Sequence, residues 1–94
     1  MSKIVVSSKF KRSFRKFTRR NTQLQNRIEK VITKLADDIF DPTLGTHKLE
    51  GKLVDLLSCS CGYDCRLVFV IEKDQETSET LIVLLDVGTH DEVY

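Results

Sequence analysis

The spacing of apolar residues changes once along this chain, near Pro42. Before it, phenylalanines recur at helical intervals at positions 10, 14 and 17, and a second apolar row runs over residues 24–39. After it, apolar and polar residues alternate as they do in strands. One such change in a chain of 94 residues predicts a single domain in which helices pack on a sheet.

Two amphipathic helices are predicted before Pro42. Ser7 or Ser8 can cap the first helix, whose aromatic row is predicted to face the core. Thr22 opens a Thr-x-x-Gln pattern, which predicts a capping box at the start of the second helix. The residue before Pro42 is disfavoured in a helix, so the second helix is expected to end there. The short connection predicts an αα-hairpin.

Strand patterns flank this helical hairpin. A β-branched run at residues 4–6 predicts the first strand. Three more are predicted at residues 53–61, 65–72 and 81–87, which read LVDLLSCSC, CRLVFVIE and LIVLLDV. The order is β-αα-βββ over residues 1–94. It predicts an α+β fold with the helical hairpin on one face of a mainly antiparallel sheet.

Charge is distributed unevenly along the chain. Residues 1–34 carry eleven Lys and Arg against one acidic residue, whereas residues 35–94 carry four against thirteen. This asymmetry predicts a polyanion or an acidic partner on the basic surface, the alternative being two solvated helix faces. No apolar run approaches the roughly 20 residues of a membrane helix. Since the apolar patch at the N-terminus is also too short for a secretory signal, a cytoplasmic protein is expected.

All the cysteines lie in the stretch SCSCGYDCRL, as Cys59, Cys61 and Cys65. A tetrahedral zinc site needs four ligands, and no fourth cysteine exists. A reactive thiol needs electropositive surroundings, for which the sequence offers only Arg66 nearby. The cysteines are therefore predicted to be reduced, buried and part of the packing, and no metal or cofactor is expected.

Two registers are open for the hairpin in this stretch. A two-residue loop at residues 62–63 sets Cys59 opposite Arg66. A three-residue loop at residues 61–63 pairs Cys59 with Cys65. The choice matters because a shift of one residue moves a whole strand to the other face of the sheet.

Arg66 interrupts an apolar strand and points away from the core candidates Leu67 and Phe69. One explanation is an ion pair with Asp64 or Glu72. The other is a guanidinium that binds an anion on an open face of the sheet.

The segments HKLEG, GYDCRLVFVIE and GTHDEVY resemble, in order and spacing, the RelE/ParE superfamily of toxins from type II toxin–antitoxin systems. The resemblance is greatest to its RelE-like and YafQ-like mRNA interferases. It implies a ribosome-dependent endoribonuclease that cleaves mRNA without a metal. It also implies an acidic, helical, RelB-like antitoxin, through which alone the toxin would contact operator DNA.

The resemblance also assigns candidate catalytic residues, which are His47, Asp64, Arg66, His90 and Tyr94. Asp64 or His47 would act as the base and His90 as the acid. Arg66 would hold the phosphate, and Tyr94 would stack on or orient the RNA. A fourth position, a histidine in YafQ-like toxins, falls on Ser60, which cannot transfer a proton as an imidazole does.

Basic residues outside this group are predicted to bind RNA, and they are Lys48, Lys52, Arg12, Arg15 and Arg19. Two other functions remain open. One is that of the ParE branch, which binds DNA gyrase and lacks the ribonuclease residues. The other is that of a basic RNA-binding module without catalysis.

Overall fold

The computed structural model describes residues 2–49 and 55–94. In chain order the elements are β1 (Lys3–Val6), α1 (Ser8–Phe17), α2 (Thr22–Asp37), a 3₁₀ turn (Pro42–Leu44), β2 (His47–Lys48), β3 (Leu57–Ser60), β4 (Arg66–Lys73), β5 (Thr80–Gly88) and α3 (His90–Val93). The predicted α+β fold is confirmed, and β2 and α3 are additions to it. No helix in the described ranges is long and apolar enough to cross a bilayer.

Side-chain caps begin both long helices. The Ser7 side chain accepts a hydrogen bond from the backbone N of Phe10 (3.0 Å). Of the two predicted caps, Ser7 and Ser8, the structure therefore shows Ser7. Asn21 caps α2 by accepting from the backbone N of Leu24 (3.0 Å). The predicted capping box at Thr22 is wrong, because Asn21 takes the cap position and Thr22 becomes the first helical residue.

The second helix ends at Asp37, earlier than the predicted stop at Pro42. Asp38 is extended, with φ −152° and ψ 101°, and its carboxylate accepts from the backbone N of Phe40 (3.1 Å). A short acidic side chain that binds a nearby backbone donor competes with the helix for that donor. The helix therefore ends before the proline is reached.

The sheet has five strands in the order β1-β5-β4-β3-β2. β1 runs parallel to β5, and the other neighbouring pairs are antiparallel. The helices pack on one face, where Phe10, Ile28 and Leu35 meet Leu67 and Phe69 in one buried cluster. The predicted core role of the aromatic row of α1 is confirmed.

The β3–β4 hairpin adopts neither predicted register. Cys59 lies opposite Leu67, and Ser60 lies opposite Arg66. The connection is a three-residue turn at residues 62–64, one residue later than either prediction assumed. Ser60 therefore shares the open face of the sheet with Arg66, while Cys59 faces the core.

Two left-handed residues make this turn possible. Gly62 has φ +124° and Asp64 has φ +50°. Glycine adopts such angles without a steric penalty, and aspartate is one of the few other residues that visits them routinely. Both predictions ended the turn at Tyr63 and counted Asp64 as part of the strand.

A disulfide joins Cys61 to Cys65, with 4.9 Å between the Cα atoms. The prediction that these two cysteines are reduced is therefore wrong. Composition suggested a reducing compartment, but it could not show that the turn brings the two side chains together. Cys59 is a free thiol, and the predicted burial of all three cysteines is confirmed.

Candidate functional site

The Arg66 guanidinium is held by the backbone of the hairpin turn. Its Nη1 donates to the carbonyl oxygens of Gly62 (3.2 Å) and Cys65 (2.9 Å). The described residues contain no ion pair between Arg66 and Asp64 or Glu72, so that explanation of the arginine is not supported. The half-buried guanidinium lies on the open face with Nε and Nη2 outside these two bonds. Those groups can donate to an anion.

Asp64 connects this turn to the end of the chain. Its Oδ1 accepts from the backbone N of His90 (3.1 Å), at the first residue of α3. A carboxylate at this position satisfies a free helix donor and complements the positive end of the helix. Asp64 therefore contributes directly to the placement of His90.

The short helix α3 was not predicted, although a sequence signal for it exists. Thr89 and Glu92 form a reciprocal capping box, with Thr89 N to Glu92 Oε1 at 2.9 Å and Glu92 N to Thr89 Oγ1 at 3.3 Å. The Thr-x-x-Glu pattern in GTHDEVY encodes this box.

Helical geometry then places His90 and Tyr94 side by side. Their ring centroids are 4.6 Å apart with the ring planes at 82°, an edge-to-face contact. The His90 side chain is 60% exposed, and its Nδ1 lies 3.5 Å from Oδ1 of Asp91. The imidazole is thus both oriented by Tyr94 and open to an incoming group.

Tyr94 ties α3 to the sheet. Its phenolic oxygen is hydrogen-bonded to the hydroxyl of Ser58, which is fully buried on β3. Sequence reasoning gave Ser58 no role, because its position depended on the unresolved register. The bond anchors the C-terminal residue on the same face of the sheet as Arg66.

His47 reaches this face from the edge strand. It pairs with Ser58 across β2 and β3, so the two side chains project to the same side. Nδ1 of His47 lies 3.0 Å from the carbonyl oxygen of Gly45. Because a carbonyl only accepts, Nδ1 must carry the proton, and in the neutral ring Nε2 is left with a lone pair.

The remaining predicted residues lie apart from this group. Arg12 and Arg15 on α1 and Arg19 just after it line a shallow surface pocket together with Lys16. Lys48 is exposed on β2, paired with Leu57. Lys52 lies outside the described residues.

Arg27 on α2 was missed. A Cβ atom added to Gly62 would lie 2.9 Å from Nη1 of Arg27, so the arginine covers the turn closely. Arg27, Lys30 and Lys34 line a pocket of about 300 Å³ with Cys61 and Gly62. The spacing of these three cations along α2 places them on one helix face, a signal present in the sequence.

No metal centre is evident within residues 2–49 and 55–94. This part of the chain contains no group of three or more His, Cys, Asp or Glu side chains that could hold a metal ion.

The sequence matches the model of a protein family over residues 2–94. That family is described as the bacterial toxin of type II toxin–antitoxin systems, YafQ. This chain belongs to the YafQ toxin family. The resemblance inferred from the sequence is thereby confirmed. No curated protein sequence matches the chain.

Solved structures of YafQ-type and related toxins share the fold. A copper-bound mutant toxin from Helicobacter pylori is 25% identical, with a TM-score of 0.74 and full coverage of both chains. YafQ from Escherichia coli is 14% identical, with a TM-score of 0.78 and coverage of 100% of this chain and 99% of the other. A chain of the RelBE2 toxin–antitoxin complex from Mycobacterium tuberculosis is 16% identical, with a TM-score of 0.71 and coverage of 95% and 98%.

Proposed function

We propose that this YafQ-family toxin is a ribosome-dependent endoribonuclease that cleaves mRNA and thereby inhibits translation. The observation that carries the proposal is the grouping of acid–base and cationic side chains around one hairpin. Asp64 lies in the turn of this hairpin, and Arg66 begins its second strand. His90 is hydrogen-bonded to Asp64, Tyr94 is hydrogen-bonded to Ser58, and the two rings are in contact.

Cleavage of RNA by side chains alone needs a base, a cation for the phosphate and an acid. His47 is the better candidate for the base, since its Nε2 carries the free lone pair while one Asp64 oxygen is engaged with the His90 amide. His90 is the candidate acid, and Arg66 holds the phosphate. Asp64 then acts mainly by positioning α3.

The reaction balances with these roles. His47 Nε2 takes the proton of the 2′-hydroxyl as the 2′-oxygen bonds to phosphorus. Arg66 donates to the non-bridging oxygens, on which negative charge develops. The bond from phosphorus to the 5′-oxygen breaks, and His90 supplies the proton to that oxygen. The products are a 2′,3′-cyclic phosphate and a 5′-hydroxyl.

The basic surface supports a nucleic-acid role for the helical layer. The first 34 residues carry eleven Lys and Arg, and the cations of α1 and α2 line separate pockets. Such a surface binds RNA phosphates with a strong dependence on salt. Since the E. coli DinJ–YafQ pair and RelBE2 were solved as toxin–antitoxin complexes, we also propose an acidic, helical antitoxin for this chain.

The test is expression of His90→Ala and Arg66→Ala in a bacterial host, with primer-extension mapping of reporter mRNA on purified ribosomes. Each variant is expected to lose about 10²–10⁴-fold in cleavage rate, since each removes one acid–base or electrostatic contribution. Lys73→Ala is the matched control, because it removes a cation from the far end of the same strand. Circular dichroism checks that all three variants fold.

Two outcomes would contradict parts of the proposal. If both variants stay toxic while translation continues, the ribonuclease assignment is wrong. If mRNA free of ribosomes is cut at the same rate as translated mRNA, ribosome dependence is wrong.

A further inference from the structure

The Cys61–Cys65 disulfide closes the turn on which the candidate site is built. Within the closed loop lie the Gly62 carbonyl that holds Arg66 and the Asp64 carboxylate that holds the amide of His90. The second carbonyl bound by Arg66 belongs to Cys65 itself. Both described hydrogen bonds of the Arg66 guanidinium are therefore accepted by residues that the disulfide joins or encloses.

Without the covalent bond, this turn is held by hydrogen bonds. Two join backbone atoms, from Cys61 N to Cys65 O (2.9 Å) and from Cys65 N to Gly62 O (3.2 Å). Two longer ones, both 3.3 Å, join the Ser60 hydroxyl to the N and O of Gly62. The turn contains two left-handed residues, and Tyr63 at its tip is 99% exposed. A turn with an exposed tip is the kind of segment that opens first when a constraint is removed.

Both bridged cysteines are only 1% exposed, so a reductant reaches the disulfide only when the turn opens. Once the turn is open, the charge around Cys61 favours thiol–disulfide exchange. Cys61 lines the pocket that also holds Arg27, Lys30 and Lys34. Positive charge near a sulfur stabilises its thiolate and so makes it a better leaving group in exchange. Sequence reasoning had found only Arg66 for this role, because the three α2 cations approach the turn through the fold alone.

Cys59 does not take part in this exchange. Its thiol is fully buried, and burial raises its pKa to about 12. A thiol that stays protonated at neutral pH is a poor nucleophile, so Cys59 leaves the neighbouring bridge intact.

We propose that Cys61 and Cys65 are positioning residues for Arg66 and His90, and that reduction of their disulfide lowers the activity of the toxin. The inference rests on the proposed ribonuclease function. A dithiol reductant, small or of the thioredoxin type, attacks one sulfur and forms a mixed disulfide. Its second thiol then releases the toxin. The S–S bond breaks, two electrons and two protons end on Cys61 and Cys65, and the reductant leaves as a disulfide.

The first test measures mRNA cleavage on ribosomes across dithiothreitol buffers of defined oxidised-to-reduced ratio. Wild type is expected to lose about tenfold to a hundredfold in kcat on reduction, because misplacement of about 1 Å at a reacting group has effects of this size. The double variant Cys61→Ser/Cys65→Ser should match the reduced rate in every buffer. Cys59→Ala is the matched control and should keep the wild-type response.

The second test reads the positioning without RNA. Amide hydrogen exchange at His90 should accelerate at least about tenfold on reduction, because its acceptor on Asp64 is released. The amide of Ser78, which donates to Asp74 in the other long hairpin, should not change.

The two tests separate failure of this inference from failure of the proposed function. Equal cleavage rates in both redox states, or a double variant as active as oxidised wild type, would overturn the inference. If no form cleaves RNA, the proposed function is wrong, and an unchanged His90 exchange rate would overturn the positioning role as well.

Discussion

Removing the phenolic hydroxyl of Tyr94 is expected to destabilise the fold more than removing its hydrogen-bond partner at Ser58. The two groups differ in their access to water. Ser58 is 0% exposed, and Tyr94 is 42% exposed. In Tyr94→Phe, the buried Ser58 hydroxyl loses the one partner it has among the described residues. In Ser58→Ala, the Tyr94 hydroxyl can turn to solvent.

The magnitudes follow from this asymmetry. A buried polar group left without a partner costs about 1–3 kcal/mol, whereas loss of an ordinary hydrogen bond costs about 0.5–1.5 kcal/mol. Tyr94→Phe should therefore lower the free energy of unfolding by about 2 kcal/mol and Ser58→Ala by about 1 kcal/mol. In the Ser58→Ala background Tyr94→Phe leaves no buried hydroxyl unpaired, so it should add almost nothing. The expected coupling is about 2 kcal/mol in magnitude, within the range for residues in contact.

The assay is urea unfolding of the four proteins in oxidising buffer, supported by thermal melts. For a domain of this size, each kcal/mol corresponds to roughly 4–8 °C in Tm. Tyr63→Phe is the matched control, since Tyr63 is 99% exposed, and it should change stability by less than about 0.5 kcal/mol. Equal costs for the two single variants, or additive costs in the double variant, would refute the reasoning.

Two further predictions concern the hairpin. Because the folded-state pKa of Cys59 is raised from 9.0 to about 12, the unfolded chain releases this proton first as pH rises. Wild type should therefore lose about 1.4 kcal/mol of stability per pH unit above about pH 9, relative to Cys59→Ala. Urea unfolding at pH 8, 9 and 10 checks this, and parallel curves would contradict it. Gly62→Ala should cost about 1–3 kcal/mol from its φ of +124° and a small amount more from the clash with the flexible end of Arg27. Adding Arg27→Ala to Gly62→Ala should restore only the stability that the clash removes. Full recovery of stability in this double variant would show that the backbone at residue 62 is not strained.

Much of the fold was predictable because its signals are local. The aromatic row of α1 and the alternation in β4 depend on the spacing of neighbours along the chain, and both led to the correct buried faces. Helix ends were less accurate. Asn21, not Thr22, caps α2, because asparagine is the stronger N-cap residue and the Thr-x-x-Gln pattern on which the prediction rested does not weigh it.

The candidate site was predictable as a set of residues but not as an arrangement. The resemblance to RelE-like and YafQ-like toxins pointed to Asp64, Arg66 and His90, but it did not show which contacts hold these side chains in place. The structure shows that Asp64 binds the His90 amide and that the turn carbonyls bind Arg66. Their catalytic roles stay a prediction.

In the cysteine-rich hairpin, some features follow from the local sequence and others depend on the tertiary structure. The sequence alone predicted two strands, at residues 53–61 and 65–72, and placed Leu67 and Phe69 toward the core, because a period of two is set by the backbone of each strand. The tertiary structure decided the register, the disulfide and the site. These depend on left-handed angles in one turn and on long-range contacts along the chain. Asp64 and His90 are separated by 26 positions, and Ser58 and Tyr94 by 36. Contacts of that separation leave no periodic pattern in a single sequence, so only the folded chain reveals them.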